Sequence, residues 1–147
     1  MVSTLKFLST LSATLFAGAA LYINLAEHPA RLGLETRQAA LQWAPSYKRA
    51  TWLQAPLAII SCLCGVAVAV ITADNRWLVP AFLVGAVVPF TLVVIMPTNR
   101  QLLVVGRDLS SASTRSLLVR WGQLHAVRSV LSLMASTVYL WLLVASN

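Results

Sequence analysis

The chain has 147 residues, of which 59% are apolar and only 10% are charged. A soluble globular domain carries about 25% charged residues, so this composition excludes an ordinary soluble fold, and it is also the reverse of a disordered chain. Eleven Lys and Arg residues outnumber four acidic residues, which gives a net charge of +7. Because the basic residues lie between long apolar stretches, the charge indicates membrane topology rather than binding to nucleic acid.

Four apolar stretches are long enough to cross a bilayer core as helices, which takes about 20 residues. They cover residues 5–26, 52–73, 77–96 and 124–145. We expect the first stretch to be a retained span, because it is longer than the apolar region of a secretory signal peptide and continues into Tyr22, Asn24 and Glu27. The sequence therefore predicts one all-α domain, residues 1–147, built as a four-transmembrane-helix up-down-up-down bundle.

The connections between these stretches differ in length and charge. Residues 74–76 form a tight turn, whereas two connections of about 25 residues join the first span to the second and the third to the fourth. These long connections hold eight of the eleven basic residues, namely Arg31, Arg37, Lys48, Arg49, Arg100, Arg107, Arg115 and Arg120. The positive-inside rule predicts that both long connections are cytoplasmic and that both termini lie outside.

Both long connections contain helix signals. Residues 35–43 are expected to form a short amphipathic helix that Pro45 ends. Ser113 is a suitable N-cap for a fourth helix that begins before it enters the membrane. We therefore expect a structured cytoplasmic cap of short amphipathic helices beside the four spans.

Polar side chains recur at helical spacing around the two histidines of the chain, which lie near the same membrane face. The two sets, each spaced by four and three residues, are Asn24, His28 and Arg31, and Trp121, His125 and Arg128. Asn99, just after the third span, adds a polar group at the same level. Because polar residues at membrane depth are costly and usually functional, we predict that both histidines, Asn99 and Arg128 converge in one pocket.

These residues lie in three segments with the sequences GAALYINLAEHPAR (18–31), MPTN (96–99) and WGQLHAVR (121–128). In this order the segments resemble the small membrane family that contains the fungal anthrone oxygenases, also called the domain-of-unknown-function 1772 family. The resemblance covers nearly the whole chain and supports the four-span fold. Some members of this family are implicated in oxidising polyketide anthrones to anthraquinones, so the resemblance implies a membrane oxidoreductase, more specifically a monooxygenase.

The chemistry of anthrone oxidation can be matched to the predicted pocket. Removing a carbon-bound proton from an anthrone gives an electron-rich enolate that reacts with O₂ without a metal, so no cofactor is expected. A neutral histidine is a suitable base at about pH 7, which makes His28 or His125 the predicted base, and Arg128 and Asn99 can donate to the enolate oxygen. The predicted contacts of a hydrophobic aromatic or quinone-like substrate are Asn24, Tyr22, Trp121 and Trp52.

Two other functions remain open on the sequence. Copper, iron or haem could be bound by His28 and His125, with Glu27 completing an iron site of two histidines and one carboxylate. Alternatively, the polar cluster belongs to a non-enzymatic membrane scaffold, or to a protein that binds a lipid or another small molecule. Each of these functions places the chain in a lipid bilayer as a multi-pass protein, with no nucleic-acid partner, and is compatible with a homo-oligomer.

Overall fold

A computed structural model describes residues 1–145, and within them it contains four long helices and no β-strand. These helices are α1 (Val2–Leu32), α2 (Thr36–Thr72), α3 (Asn75–Leu102) and α4 (Ala112–Ala145). All four are long and apolar enough to cross a membrane. The predicted all-α class is therefore confirmed, and the architecture supports a multi-pass membrane protein.

The bundle is organised around α1 and α4. Helix α1 packs against α2 and α4, and α3 packs against the same two helices. Residues later in α1 contact residues earlier in α4. Thr14 bonds to Ser136 at 2.9 Å, whereas Asn24 bonds to Gly122 at 3.0 Å. These two helices are therefore antiparallel, which brings the end of α1 to the first half of α4.

Helix α2 is longer than the sequence predicts. The expected separate amphipathic helix that ends at Pro45 is wrong, because Pro45 and Pro56 both lie inside α2. Proline removes one backbone N–H from a helix, but a helix can bear that loss where neighbouring groups pack against it. Here the rings of Trp43 and Tyr47 stack across Pro45, with centroids 5.1 Å apart and planes at 4°. The first part of the expected cap is thus an extension of α2.

Helix α4 also begins well before its apolar stretch, as expected. Its N-terminal cap is Ser111 rather than Ser113, because the Ser111 hydroxyl accepts the backbone N–H of Thr114 at 3.2 Å. The hydroxyl of Thr114 in turn donates to the carbonyl of Asp108 at 2.8 Å. A shift of the cap by two residues leaves the fourth predicted span inside the helix.

The turn between α2 and α3 is as tight as the sequence predicts. Helix α2 ends at Ala73, which takes a left-handed conformation with φ of 54°. The Asp74 carboxylate accepts the backbone N–H of Arg76 at 3.1 Å and its guanidinium at 2.9 Å. The guanidinium bonds above all lower the pKa of the Asp74 carboxyl below its ordinary value.

Two helices become π-helical for one turn at the same end of the bundle. The wide turns span Ile23–Glu27 in α1 and Thr91–Ile95 in α3, and both contribute to one core cluster. Pro29 and Pro97 follow these turns by two residues. Because a proline has no N–H to donate to the carbonyl four residues earlier, a wide turn accommodates the missing bond. Such turns are frequent at functional sites, and this end of the bundle holds the predicted pocket residues.

Candidate active site

Most of the predicted site residues are buried together at this end of the bundle. His28, Asn99, His125 and Arg128 all have 9% or less of their surface exposed. The indole of Trp121 contacts both imidazoles, with centroid distances of 5.0 Å to His28 and 4.9 Å to His125. The structure therefore brings both histidines against the same tryptophan.

Both ring nitrogens of His28 are occupied. Nε2 lies 3.0 Å from the carbonyl oxygen of Leu118, and Nδ1 lies 3.2 Å from Nη1 of Arg31. A carbonyl only accepts and a guanidinium only donates, so Nε2 carries the proton and Nδ1 accepts. Gly122 permits this close approach, because a Cβ there would lie 2.5 Å from Cδ2 of His28. His28 consequently has no free lone pair with which to take a proton.

Arg31 holds His28 in place through the bond to Nδ1. Its Nε donates to Oε1 of Gln42 at 3.0 Å, and its Nη2 bonds to the Glu27 carboxylate and to the Ser46 hydroxyl. The Ser46 hydroxyl also donates to the Glu27 carboxylate. The charges of Arg31 and Glu27 thus satisfy each other in one network, which is what a buried ion pair requires.

His125 has the opposite arrangement, with one nitrogen unused. Its Nδ1 lies 2.6 Å from Oδ1 of Asn24, and the Ser129 hydroxyl donates to the same oxygen at 2.5 Å. The Asn24 amide is oriented by its own Nδ2, which donates to the Gly122 carbonyl at 3.0 Å. Because Oδ1 accepts, Nδ1 of His125 carries the proton and Nε2 keeps its lone pair. No hydrogen-bond partner for Nε2 occurs in residues 1–145.

Arg128 is a buried cation without an acidic partner. Only 9% of its surface is exposed, and neither of the ion pairs within residues 1–145 includes it. Its Nη2 donates to Oε1 of Gln54 at 2.7 Å, and the guanidinium lies 5.4 Å from the centroid of the Phe16 ring. Its Nε donates to no atom in the described part of the chain. A charge in this environment is expensive unless a ligand balances it.

A cavity of about 120 Å³ adjoins Arg128 and is formed mainly by α2 and α3. Its walls are largely apolar, and Arg128 is the one charged residue among those that line it. Tyr47 contributes a hydroxyl-bearing ring to the wall, while the exposed side chains of Thr51 and Leu92 lie at the rim on α2 and α3. The site is therefore an apolar pocket with one cationic corner.

Asn99 does not line this pocket, and neither do His28, Trp121 and His125. Asn99 is fully buried, and neither atom of its amide has a partner in residues 1–145. The indole N–H groups of Trp43 and Trp121, which belong to the core at the same end of the bundle, are also unpartnered there. Buried polar atoms without partners are rare in native proteins. This end of the bundle consequently holds several donors that the described protein does not use.

The side chains of Tyr22 and Trp52 are not buried with this group, and their role as substrate contacts stays a prediction. Their side chains are 62% and 84% exposed, respectively. Trp52 precedes the buried Gln54 by two residues, or about 200° around an α-helix, so it faces outward. Exposed aromatic rings on such helices suit the membrane interface. Asn24 is also engaged entirely with protein groups, which leaves Trp121 as the predicted contact with an unused donor.

The residues of the alternative metal site are not arranged as a ligand set. In residues 1–145 no group of three His, Cys, Asp or Glu side chains is positioned to hold a metal ion. His28 uses both nitrogens in hydrogen bonds, and the Glu27 carboxylate is bonded to Arg31. Of these three side chains, His125 keeps Nε2 and Glu27 keeps Oε2 without a hydrogen-bond partner in residues 1–145.

Gln54 is the main site residue that the sequence prediction lacks. It is 2% exposed and contacts Arg128 directly. The signal was present as a single amide inside the second apolar stretch, two residues after Trp52. In a membrane span such an amide needs a partner, so it could have been grouped with the histidines and Arg128.

Comparison with known proteins gives a family match and a curated relative. A family model described as anthrone oxygenase matches residues 43–138 of the chain. A curated relative, the anthrone oxygenase tpcL of Aspergillus fumigatus, is 46% identical over 56 residues, or 36% of this chain and 35% of the relative. This match therefore spans about a third of the length of that relative. No solved structure matches the chain.

Proposed function

Because the chain belongs to the anthrone oxygenase family, we propose that it is a membrane monooxygenase that oxidises an enolisable aromatic ketone, such as an anthrone, with O₂. The observation that carries this proposal is Arg128, a buried cation beside an apolar cavity with no carboxylate partner in residues 1–145. A ligand that develops negative charge in the cavity offsets the cost of burying this cation. The enolate of a flat aromatic ketone is such a ligand.

His125 is the proposed base. It precedes Arg128 by three residues on α4, so the two side chains lie on the same face of the helix. Its Nε2 lone pair is the one that protein groups leave unused, whereas both nitrogens of His28 are occupied. Nε2 takes a carbon-bound proton, and the Arg128 guanidinium stabilises the negative charge that develops on the substrate oxygen.

The oxidation then needs O₂ and no other reactant. The enolate passes electrons to O₂ and a C–O bond forms, and the resulting peroxide anion takes the proton from His125 to become a hydroperoxide. His125 removes the second hydrogen from the same carbon as the O–O bond breaks, which leaves a carbonyl and releases the outer oxygen as water. A CH₂ group and O₂ thus become a C=O group and H₂O, without a cofactor.

The remaining site residues support these steps in the proposal. Asn24 holds His125 in the tautomer that leaves Nε2 free, and His28, which Arg31 holds in place, packs against Trp121. Asn99 and Trp121 have unused N–H groups that can donate to polar groups of the substrate. These roles follow from the hydrogen bonds that each side chain makes or lacks.

We further propose that a hydrophobic substrate enters from the bilayer. The rim residues Thr51 and Leu92 are exposed on α2 and α3, on the sides of helices that suit lipid. In this proposal the end of the bundle with the basic long connections faces the cytoplasm and both termini lie outside, an orientation that the positive-inside rule supports. The substrate would therefore reach Arg128 without crossing water.

The test compares two substitutions that each preserve one hydrogen bond. His125→Asn keeps an N–H directed at Asn24 but removes the Nε2 lone pair, and His28→Gln keeps an N–H directed at Leu118. With the protein in lipid nanodiscs and an anthrone as substrate, we expect His125→Asn to slow O₂ consumption and anthraquinone formation on the order of 100-fold. We expect His28→Gln to slow them by no more than about tenfold, the value of one hydrogen bond.

Reactions with empty nanodiscs measure the spontaneous oxidation by air and are subtracted. A folded His125→Asn protein with an unchanged rate would overturn the role of His125. If the unsubstituted protein gives no oxidation above the empty nanodiscs for any anthrone tried, the non-enzymatic scaffold or carrier becomes the better explanation.

A further inference from the structure

Gln54 and Arg128 form a corner of donors, in which Arg128 lines the cavity and Gln54 is bonded to Arg128 without lining the cavity itself. Oε1 of Gln54 accepts from Nη2 of Arg128 at 2.7 Å, and this bond fixes the orientation of the Gln54 amide. Its Nε2, which carries two N–H groups, is buried and has no acceptor in residues 1–145, and the same holds for Nε of Arg128. Two side chains from α2 and α4 thus present unused N–H groups next to each other, together with a positive charge.

The choice of an amide at position 54 keeps that charge available. A glutamate has nearly the same shape as a glutamine and would neutralise Arg128 across the same 2.7 Å contact. With Gln54 the guanidinium keeps its full charge, and the amide adds donors instead of removing them. The surrounding cavity wall supplies no carboxylate, and its side-chain acceptors are the neutral hydroxyls of Tyr47, Thr51 and Thr91, so the charge of the corner is suited to an anionic oxygen atom from a ligand.

We propose that Arg128 and Gln54 together bind the ionised oxygen of a planar aromatic ligand, such as an enolate, a phenolate or an aromatic carboxylate. This inference rests on the proposed function, since the enolate intermediate is one such ligand, and it adds Gln54 as a binding residue and charge as the basis of selection. The apolar walls contact the rings, and the donors of the two side chains bind the oxygen. Neutral aromatic compounds of the same shape bind more weakly, because they leave the charge of Arg128 unbalanced.

Two tricyclic ligands that differ in charge test this selection without turnover. Anthracene-9-carboxylate is anionic at neutral pH and anthracene-9-methanol is neutral, and neither has the enolisable ketone that the reaction requires. We measure their dissociation constants by titration calorimetry on protein in phosphatidylcholine nanodiscs, with empty nanodiscs as the control for partition into lipid. We expect the carboxylate to bind at least about tenfold more tightly, as a charge-assisted hydrogen bond predicts.

Substitution of Gln54 then assigns the selection to this corner. Gln54→Glu keeps the acceptor for Arg128 but replaces the donor with a second carboxylate oxygen, so we expect the preference for the anion to be lost while the alcohol binds as before. Gln38→Glu makes the same change on the exposed face of α2 and is expected to alter neither affinity. Gln54→Leu, which removes the donor without adding charge, provides a second variant if Gln54→Glu does not fold, and it is expected to weaken binding of the anion alone.

The outcomes separate this inference from the proposed oxygenase activity. Equal binding of the two ligands to the unsubstituted protein, or an anion preference that survives Gln54→Glu, would overturn the inference even if anthrones are oxidised. An anion preference that disappears in Gln54→Glu supports it, whether or not any anthrone is turned over. Loss of oxidation alone would count against the oxygenase and leave the anion site intact.

Discussion

The two ends of the bundle differ in whether their buried polar groups have hydrogen-bond partners within the protein. We call the end built around Ser9, Ser61, Gly65, Ser136 and Tyr139 the serine-rich half, and the end built around His28, Asn99, His125 and Arg128 the histidine half. In the serine-rich half, hydroxyls bond to backbone carbonyls of neighbouring helices, as Ser61 does to Ser9 at 2.8 Å and Tyr139 does to Ser61 at 3.1 Å. Of the seven buried side-chain N and O atoms without a partner in residues 1–145, six belong to the histidine half or its immediate core.

This contrast distinguishes residues that hydrogen-bond one helix to another from residues whose unpartnered groups can bind a ligand. Hydroxyl bonds between membrane helices each contribute modestly to association and leave nothing unsatisfied. Unpartnered amide, indole and guanidinium groups in the histidine half destabilise the fold, and a ligand is what such groups can bind. Substitutions should therefore change activity in one half and stability in the other.

The largest effect is expected from Arg128→Met. Methionine fills a similar volume but removes the donors for the substrate oxygen, so the oxidation rate should fall about 100- to 1,000-fold. Thermal unfolding in the same nanodiscs should occur at the same temperature or higher, because replacing an uncompensated buried charge with an apolar side chain is often neutral or stabilising. A large loss of stability would show that Arg128 belongs with the structural residues and would remove the contrast between the halves.

In the serine-rich half, Gly65→Ala should reduce stability. A Cβ at Gly65 would lie 1.9 Å from the Tyr139 hydroxyl and 3.0 Å from the Cβ of Ala81, so the buried tyrosine must move. Overpacking of this kind costs about 1–3 kcal/mol, measured as a lower unfolding temperature. The matched control is Gly18→Ala, where nothing lies within 4 Å of the added methyl and the helix should be unchanged or more stable. Equal behaviour of the two variants would contradict the close packing at Gly65.

The smallest effect is expected from Tyr139→Phe. This change removes the bond from the Tyr139 hydroxyl to the Ser61 carbonyl and keeps the ring that packs against Trp77 at 5.6 Å. The average worth of such a bond between membrane helices is about 0.6 kcal/mol, so unfolding should shift slightly while the oxidation rate per folded molecule stays constant. A lower rate at constant stability would connect the serine-rich half to the chemistry.

Much of the fold could be predicted because membrane-spanning helices are recognised by their length and mean hydropathy. Four long apolar stretches predict four spans, and in such a chain the end of the first span and the start of the fourth lie on the same side of the membrane. His28 and His125 were therefore expected at one end of the bundle. The continuation of α2 through Pro45 could not be predicted in this way, because this part of α2 packs against α4 in the folded bundle, where the ring centroids of Trp43 and Trp121 are 5.8 Å apart. Local proline rules describe a helix in isolation, whereas packing in the folded protein decides this one.

The roles of the individual site residues were harder to predict than their position. The spacing of polar residues is the same around His28 and His125. In the structure, however, both nitrogens of His28 are hydrogen-bonded, to Leu118 and Arg31, whereas His125 is bonded only through Nδ1 and keeps Nε2 free. Such differences arise from hydrogen-bond geometry between helices, which no periodicity in a single sequence records. A membrane span is recognised by its average hydropathy over about 20 residues, and this average hardly changes when one of them is an amide such as Gln54.

The π-helical turn at Ile23–Glu27 affects how this site responds to a change in chain length. A π-helical turn holds one residue more than an α-helical turn, so deleting one residue from it would restore an α-helical turn and keep His28 and Arg31 near Trp121. Deleting one residue from the α-helical part before this turn would instead rotate both side chains by about 100° relative to Ser9. The turn can therefore take up a change of one residue in chain length that elsewhere in the helix would present a different set of side chains to the interior of the bundle.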